Sequence, residues 1–152
     1  MNTRMRGGKS SELIVAGELL RHGLDVYLPC VDDRAIDLLL RVEDQVGVRH
    51  YDVQVKSVRG YNRIVGLKDI DNKPSRYILI LHYRHDDKAD EFFYLTKNQV
   101  LRHYLKGAEW GDLVFNKAER EQYVAQTLAD LGRRLLSSEL CEVVETQAVL
   151  AE

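Results

Sequence analysis

Several kinds of residue are scarce in this chain, and each scarcity narrows its class. Only two cysteines occur in 152 residues. Cys30 and Cys141 stand far apart and in no Cys-x-x-Cys pair, which argues against a disulfide framework or a zinc knuckle and for two reduced thiols. Long apolar runs are missing: stretches such as 36–40 and 77–82 fall far short of the roughly 20 residues that a membrane span requires. The basic segment 1–9 leads into Ser10, Ser11 and Glu12, where a signal peptide would have its apolar core, so the expected location is the cytoplasm and no membrane partner is expected. Charge of one sign is lacking too. A formal net charge of −2 and a pI near 6.2 exclude a surface coated in positive charge for indiscriminate nucleic-acid binding, so any such affinity has to be local. Repeats, low-complexity tracts and linkers are absent from the sequence.

What is there is an ordinary globular balance, 45% hydrophobic and 30% charged, on a length that suits one self-folding domain. Its expected extent is 1–137, with 138–152 as an apolar tail, carrying Leu140, Val143, Val144, Val149 and Leu150, that docks on the body or on a second subunit. In residues 10–22, Leu13, Ala16, Leu19 and Leu20 recur at helical spacing and Gly23 provides a stop. A short strand at 25–29 and a buried one at 36–42 follow. In 48–58, Tyr51, Val53 and Val55 alternate with Asp52, Gln54 and Lys56, which is strand periodicity with faces of opposite character. Two more strands, 76–83 and 91–96, read as a hairpin about the charged turn 85–90. A short helix at 97–106 and a longer one at 117–136, with Tyr123, Val124, Leu128 and Leu131 on one side, complete an α/β pattern.

Three places carry chemistry. Asp37 lies within Ile36-Asp37-Leu38-Leu39-Leu40, where an ionised carboxylate without a partner loses several kcal/mol of solvation. It therefore either holds a metal or another cation, or sits at a strand end where it reaches water or pairs with Arg34 or Arg41. Gln54 and Lys56, two apart on a strand, project from the same face about 7 Å from each other. That pair is either a solvated strand face or, if the preceding strand folds back antiparallel in register, the neighbour of Asp37. Of two acids in the first helix, Glu18 shares its stripe with Arg21 and His22, a solvated charged face. Glu12 shares its stripe with Ala16, Leu19 and Leu20 and faces the sheet, though a carboxylate in a first helical turn also has a bland reason in the helix dipole.

The string Gly8-Lys9-Ser10-Ser11-Glu12-Leu13, then Leu19-Leu20 and Gly23, then Ile36-Asp37-Leu38, then Gln54-Val55-Lys56 resembles the PD-(D/E)XK nuclease superfamily, in particular Mrr-like restriction endonucleases and archaeal Holliday-junction resolvases. The resemblance spans about the first sixty residues. It implies a restriction-endonuclease-like fold, a central mixed β-sheet flanked by helices, and a metal-dependent DNA endonuclease activity. It implies that Asp37 binds the metal, that Lys56 is the catalytic lysine and that Glu12 is the helix-borne acid assisting the metal. Magnesium, or manganese in its place, would then be held by Asp37, the Gln54 amide oxygen and the Val55 backbone carbonyl, with Glu12 acting directly or through water. Two positions depart from the pattern. Ile36 stands where a proline often precedes the acid, and Gln54 stands where the second carboxylate is usual, which removes one negative charge from a site for a hard cation. Gln54 is accordingly the best support for the alternative, a nucleic-acid-binding module that keeps the fold without activity.

Beyond this core, Lys9, Arg59, Tyr61, Arg63, Lys68 and Lys73 are candidate DNA contacts, set against a solvated loop balanced by Asp69 and Asp71. His82 and His85 form a His-x-x-His whose spacing on a strand puts them on opposite faces, and Trp110 reads as an anchor of its loop on the core. A small domain with one site needs two copies to cut a duplex, so a homodimer is expected, with the last helix and tail as its interface.

Overall fold

In the computed structural model of the chain, residues 3–31, 35–59 and 63–137 are described, apart from the side chains of 3–5 and 65. Tyr61, Arg34, Cys141 and the whole 138–152 tail lie outside the described residues. The elements are α1 (Thr3–Arg21), β1 (Asp25–Tyr27), β2 (Leu38–Asp44), β3 (Gly47–Val58), β4 (Arg63–Leu67), a 3-10 turn (Ile70–Asn72), β5 (Tyr77–Tyr83), β6 (Glu91–Thr96), α2 (Lys97–His103), β7 (Tyr104–Leu105), β8 (Gly111–Val114), α3 (Lys117–Glu121) and α4 (Leu128–Leu136). Five strands form a mixed sheet in the order β1-β2-β3-β5-β6, parallel only between β3 and β5, and β4-β8-β7 form a second, small antiparallel sheet.

The hairpin of β2 and β3 is fixed at its turn. Asp44 Oδ1 accepts the backbone N–H groups of Val46 at 2.8 Å and Gly47 at 3.2 Å, a side-chain mimic of a backbone turn. Asp44 also pairs through its other oxygen with Arg49. From the Asp44–Gly47 closure the register runs without a break to Leu38 opposite Val53. Because side chains alternate, this register sends Leu38, Leu40, Val42, Tyr51, Val53 and Val55 into one core with Val15, Ala16 and Leu19 of α1 and Leu128, Leu131 and Leu135 of α4. β5 is buried along its whole length. Its Ile78 and Ile80 join that first core, while Tyr77, Leu79, Leu81 and Tyr83 enter a second core with Ile64, Leu67, Leu113 and Phe115 beneath the small sheet.

Several elements differ from the sequence-based expectation. The first helix begins at Thr3, and its buried stripe is Ser11, Val15 and Leu19, flanked by Ala16; Leu13 and Leu20 are more than half exposed. The helix expected over 117–136 is two helices. Asn116 caps α3 and Thr127 caps α4, each accepting a backbone N–H three residues on, and the Thr127 cap restarts the chain where a continuous helix would have run. Residues 104–105 leave the helix expected over 97–106 and pair with β8. The 76–83 and 91–96 strands do form the antiparallel neighbours β5 and β6.

α4 is tied to the sheet through Asp130, which accepts the Tyr94 hydroxyl at 2.8 Å and pairs with Arg133 at 2.9 Å and Arg134 at 3.0 Å. Burial raises the Asp130 pKa, but the hydrogen bond from Tyr94 and the two arginines outweigh it and leave the carboxyl below its ordinary value. A depressed folded-state pKa stabilises the fold above the unfolded-state value of about 3.9, and that contribution is lost as pH falls through the folded value. Asp130→Asn is expected to lower unfolding free energy by about 1 kcal/mol at pH 7 in urea titrations, with the deficit shrinking in acid. A deficit that does not change with pH would remove the charge from this account.

Candidate active site

β2 and β3 carry the site because their pairing continues one residue past Leu38. The Asp37 N–H donates to the Val53 carbonyl at 2.9 Å, a bond that holds the residue just before β2 against β3. Its carboxylate turns along the strand and accepts the Val55 N–H at 2.6 Å. Lys56, two residues beyond Gln54, shares the face and donates from Nζ to the Gly66 carbonyl at 3.0 Å. Glu12 reaches the same place from α1, four-fifths buried and paired with Lys9 at 2.6 Å. Glu12, Asp37, Gln54, Val55 and Lys56 thus line one open cleft of about 780 Å³, together with Gly7, Gly8, Ala35, Ser57, Arg59, Gly66, Arg84 and Trp110.

Gln54 is almost fully buried, and its Oε1 accepts the Tyr77 hydroxyl at 2.7 Å. Burial, and then the nearby Asp37 charge, push the Tyr77 phenol well above its ordinary pKa, so it remains a donor and fixes the Gln54 amide with its oxygen toward the phenol. Arg41, one of the sequence-derived partners for Asp37, is engaged by Glu43 and Asp25.

Two backbone features hold this arrangement. Gly66 has φ +75° at an irregularity in the β4–β8 pairing, and it is this left-handed residue whose carbonyl receives Lys56. Ala35, next to the cleft and two residues before Asp37, has φ +53°, a conformation that costs a non-glycine residue about 1 kcal/mol and that collects at functional sites. A third device acts on α1. Ser11 Oγ lies 2.9 Å from His82 Nδ1, and His82 Nε2 lies 2.7 Å from Asp90, so a buried histidine on β5 clamps the helix turn that carries Glu12. The His82 hydrogen bond also holds the Asp90 carboxyl below its ordinary pKa. His85 pairs separately with Glu91 at 2.6 Å.

Of the candidate DNA contacts, Arg59 lines the cleft and Lys9 sits at its edge on Glu12. Arg63, Lys68 and Lys73 do not line it. Arg63 is held by Asp112, Lys68 lies over the Trp110 ring, and Lys73 lies over the Tyr77 ring. Trp110 corrects its sequence-derived reading: about half exposed, it is part of the cleft wall and not an anchor buried in the core. Arg84 and Tyr77 were missed as well. Tyr77 shares the parity of Leu79 on β5, but its placement beside Gln54 follows from a parallel register across a long connection that local periodicity does not encode.

Oxygen donors dominate the cleft. Among the described residues no group of three or more His, Cys, Asp or Glu side chains is placed to share a metal ion. The donors on hand are two carboxylates, one buried amide oxygen and backbone carbonyl, a set suited to a hard cation that keeps waters and takes further ligands from a phosphate.

No family model matches the sequence, and no curated protein matches it. Among the solved structures that resemble the fold are the following two. One is I-Ssp6803I, a bacterial homing endonuclease, with a TM-score of 0.51 at 15% identity over 76% of this chain and 80% of that one. The other is Hjc, a Holliday junction resolvase from the archaeal hyperthermophile Archaeoglobus fulgidus, with a TM-score of 0.51 at 10% identity over 82% of this chain and 94% of that one. The likeness establishes for this chain the mixed α/β fold that the sequence resemblance implied.

Tyr77→Phe removes the one donor seen on Gln54 Oε1 and leaves a buried oxygen short of a partner. The variant is expected to lose about 1–3 kcal/mol of unfolding free energy in urea titrations. Parent-like stability would mean that the bond carries no weight.

Proposed function

We propose that this protein is a metal-dependent DNA endonuclease that hydrolyses phosphodiesters in the cleft between α1 and β3. The observation that carries the reading is the gathering of Asp37, Gln54, Lys56 and Glu12 around one cleft whose wall also holds Arg59 and Arg84. Lys56, half-buried and donating to the Gly66 carbonyl, holds its ammonium in the wall of this cleft, where a phosphate would meet it. The cleft is lined by three cations, Lys56, Arg59 and Arg84, and two carboxylates, with Arg59 also 3.6 Å from Asp86, so a phosphate would meet several cations there although the chain as a whole is slightly acidic.

The donors fit magnesium or manganese held by Asp37, the Gln54 amide oxygen and the Val55 carbonyl, with Glu12 in direct contact or through water. Bound there, such an ion supplies Lewis acidity and lowers the pKa of a coordinated water. The remaining work falls to side chains. Val55 N–H holds one Asp37 oxygen and so fixes the direction of the other. Tyr77 occupies one lone pair of Gln54 Oε1, and a carbonyl oxygen has a second. Lys56, steadied by the Gly66 carbonyl, orients the attacking water and offsets the charge that grows on the scissile phosphate. Arg59 and Arg84 grip the flanking backbone. A homodimer in the cytoplasm, giving two clefts for the two strands of a duplex, belongs to the same proposal.

A second reading, a DNA-binding module without activity, draws on Gln54, whose amide is buried and already engaged by Tyr77. Cleavage of linear and branched DNA with magnesium or manganese separates the two. The endonuclease predicts strand cutting by the parent and at least a roughly hundredfold loss in both Asp37→Ala and Lys56→Ala. Equal rates in all three proteins would remove the nuclease, and tight binding by an inert parent would establish the module. The missing carboxylate gives a further expectation: Gln54→Glu should tighten manganese binding without DNA by about tenfold or more in a calorimetric titration, because ligand charge sets affinity for a hard cation. An unaltered isotherm would take Gln54 out of the ligand set.

A further inference from the structure

The wall of the cleft opposite the acids is built in a way that phosphodiester hydrolysis alone does not require. Trp110 is the only tryptophan in the chain, and its ring is about half exposed in the same cleft as Lys56. Exposing half an indole forgoes a large apolar burial, and here it happens beside a basic catalytic cleft. The loop that presents it is tightly fitted. A Cβ on Gly107 would fall 2.1 Å from the Trp110 carbonyl oxygen, and one on Gly111 would fall 2.2 Å from the Tyr104 ring, so neither position admits a side chain. Gly111 then enters β8 and pairs with Leu67 of β4, one residue from the Gly66 that receives Lys56. Gly111, the residue after the indole, and the lysine ammonium are therefore tied to adjacent residues of β4, Leu67 and Gly66. Lys68 lies over the ring, 5.4 Å from its centroid, placing a cation on one face of the indole and leaving the stacking role to the other.

We propose that Trp110, with Lys68 beside it, is a nucleobase subsite: the indole stacks on an unpaired base of the nucleotide next to the phosphate that Lys56 faces, while Lys68 meets a neighbouring phosphate. In an intact duplex every base face is covered by its neighbours, so a ring at the cut site has nothing to stack on. DNA with an unpaired or unstacked nucleotide beside the scissile phosphate does offer such a face. The subsite makes that class of DNA the preferred substrate. This inference rests on the cleft being where DNA is bound.

Because the chain has one tryptophan, its emission reports the subsite directly. Full-length protein without divalent metal is titrated with a duplex oligonucleotide containing a short unpaired stretch and with a perfect duplex of equal length, and binding is followed in parallel by anisotropy of a labelled strand. The expected result is marked quenching by the first DNA and little by the second. Trp110→Ala should weaken binding of the first roughly ten- to hundredfold and of the second hardly at all, and Trp110→Phe should recover most of the loss because it keeps a ring. Emission unchanged at saturating DNA, or equal weakening of both DNAs in Trp110→Ala, overturns the subsite. If the parent cuts DNA while its emission does not respond, the subsite fails and the endonuclease stands. If emission responds but no DNA is cut with magnesium or manganese, the endonuclease fails and the subsite stands. Failure to bind either DNA overturns both.

Discussion

The pairing register of β2 against β3 decides nearly everything else about this molecule. With Leu38 opposite Val53, the alternate residues of both strands fill the core under α1 and α4, and the preceding residue, Asp37, is brought to Val55, whose N–H its carboxylate accepts. A slip of one residue would carry Leu38 and Leu40 out of that core and would break the Asp37 contact with Val55. The hydrophobic demand of the core and the polar demand of the cleft are thus met by a single register. The Asp44 side chain, bonding the turn at 2.8 Å and 3.2 Å, sets it at the far end of the hairpin.

The sheet is covered on both faces, and the two coverings do different work. α1 and α4 bury one face with aliphatic side chains. The small sheet covers the other only in part. It closes over Leu79, Leu81 and Tyr83 but leaves the end of β3 open, and there its own irregularity at Gly66 supplies an acceptor for Lys56. A left-handed Ala35 before Asp37 puts a backbone cost at the same end, and Gly66, where a positive φ costs little, lines the same cleft. The histidine clamp from β5 to Ser11 brings the remaining acid to this end by fixing the α1 turn next to it.

Much of this was legible in the residues themselves, and the limits of legibility have physical causes. The alternation in β3 and the apolar strand around Asp37 are local patterns, so the strands, their faces and the four residues Glu12, Asp37, Gln54 and Lys56 could be singled out before any fold was known. The helix break between Glu121 and Leu128 was hidden because Thr127 looks like an ordinary polar residue until its cap is seen. Leu13 and Leu20 misled because helical spacing does not say which of two apolar stripes is buried. The small sheet joins strands of two to five residues, too short for a periodicity to emerge, and with it went the places of Gly66 and Trp110. Tyr77 and Arg84 depend on the parallel β3–β5 register, a long-range fact with no local mark.

Three cations, Lys56, Arg59 and Arg84, line the cleft of a near-neutral chain, and the groups around them are held from the backbone and from the core. The Asp37 carboxylate is held by a backbone N–H, the Gln54 oxygen by a phenol and the Lys56 ammonium by a carbonyl, so each group reaches the cleft with its direction set before a ligand arrives. The most direct measurement of that convergence is anomalous diffraction from crystals of the protein soaked in manganese. The account predicts a peak in the cleft, in contact with the Asp37 carboxylate and the Val55 carbonyl, with the Lys56 ammonium close by. Manganese bound elsewhere with the cleft empty, or an Asp37 carboxylate turned away from Gln54 and Lys56, would contradict it.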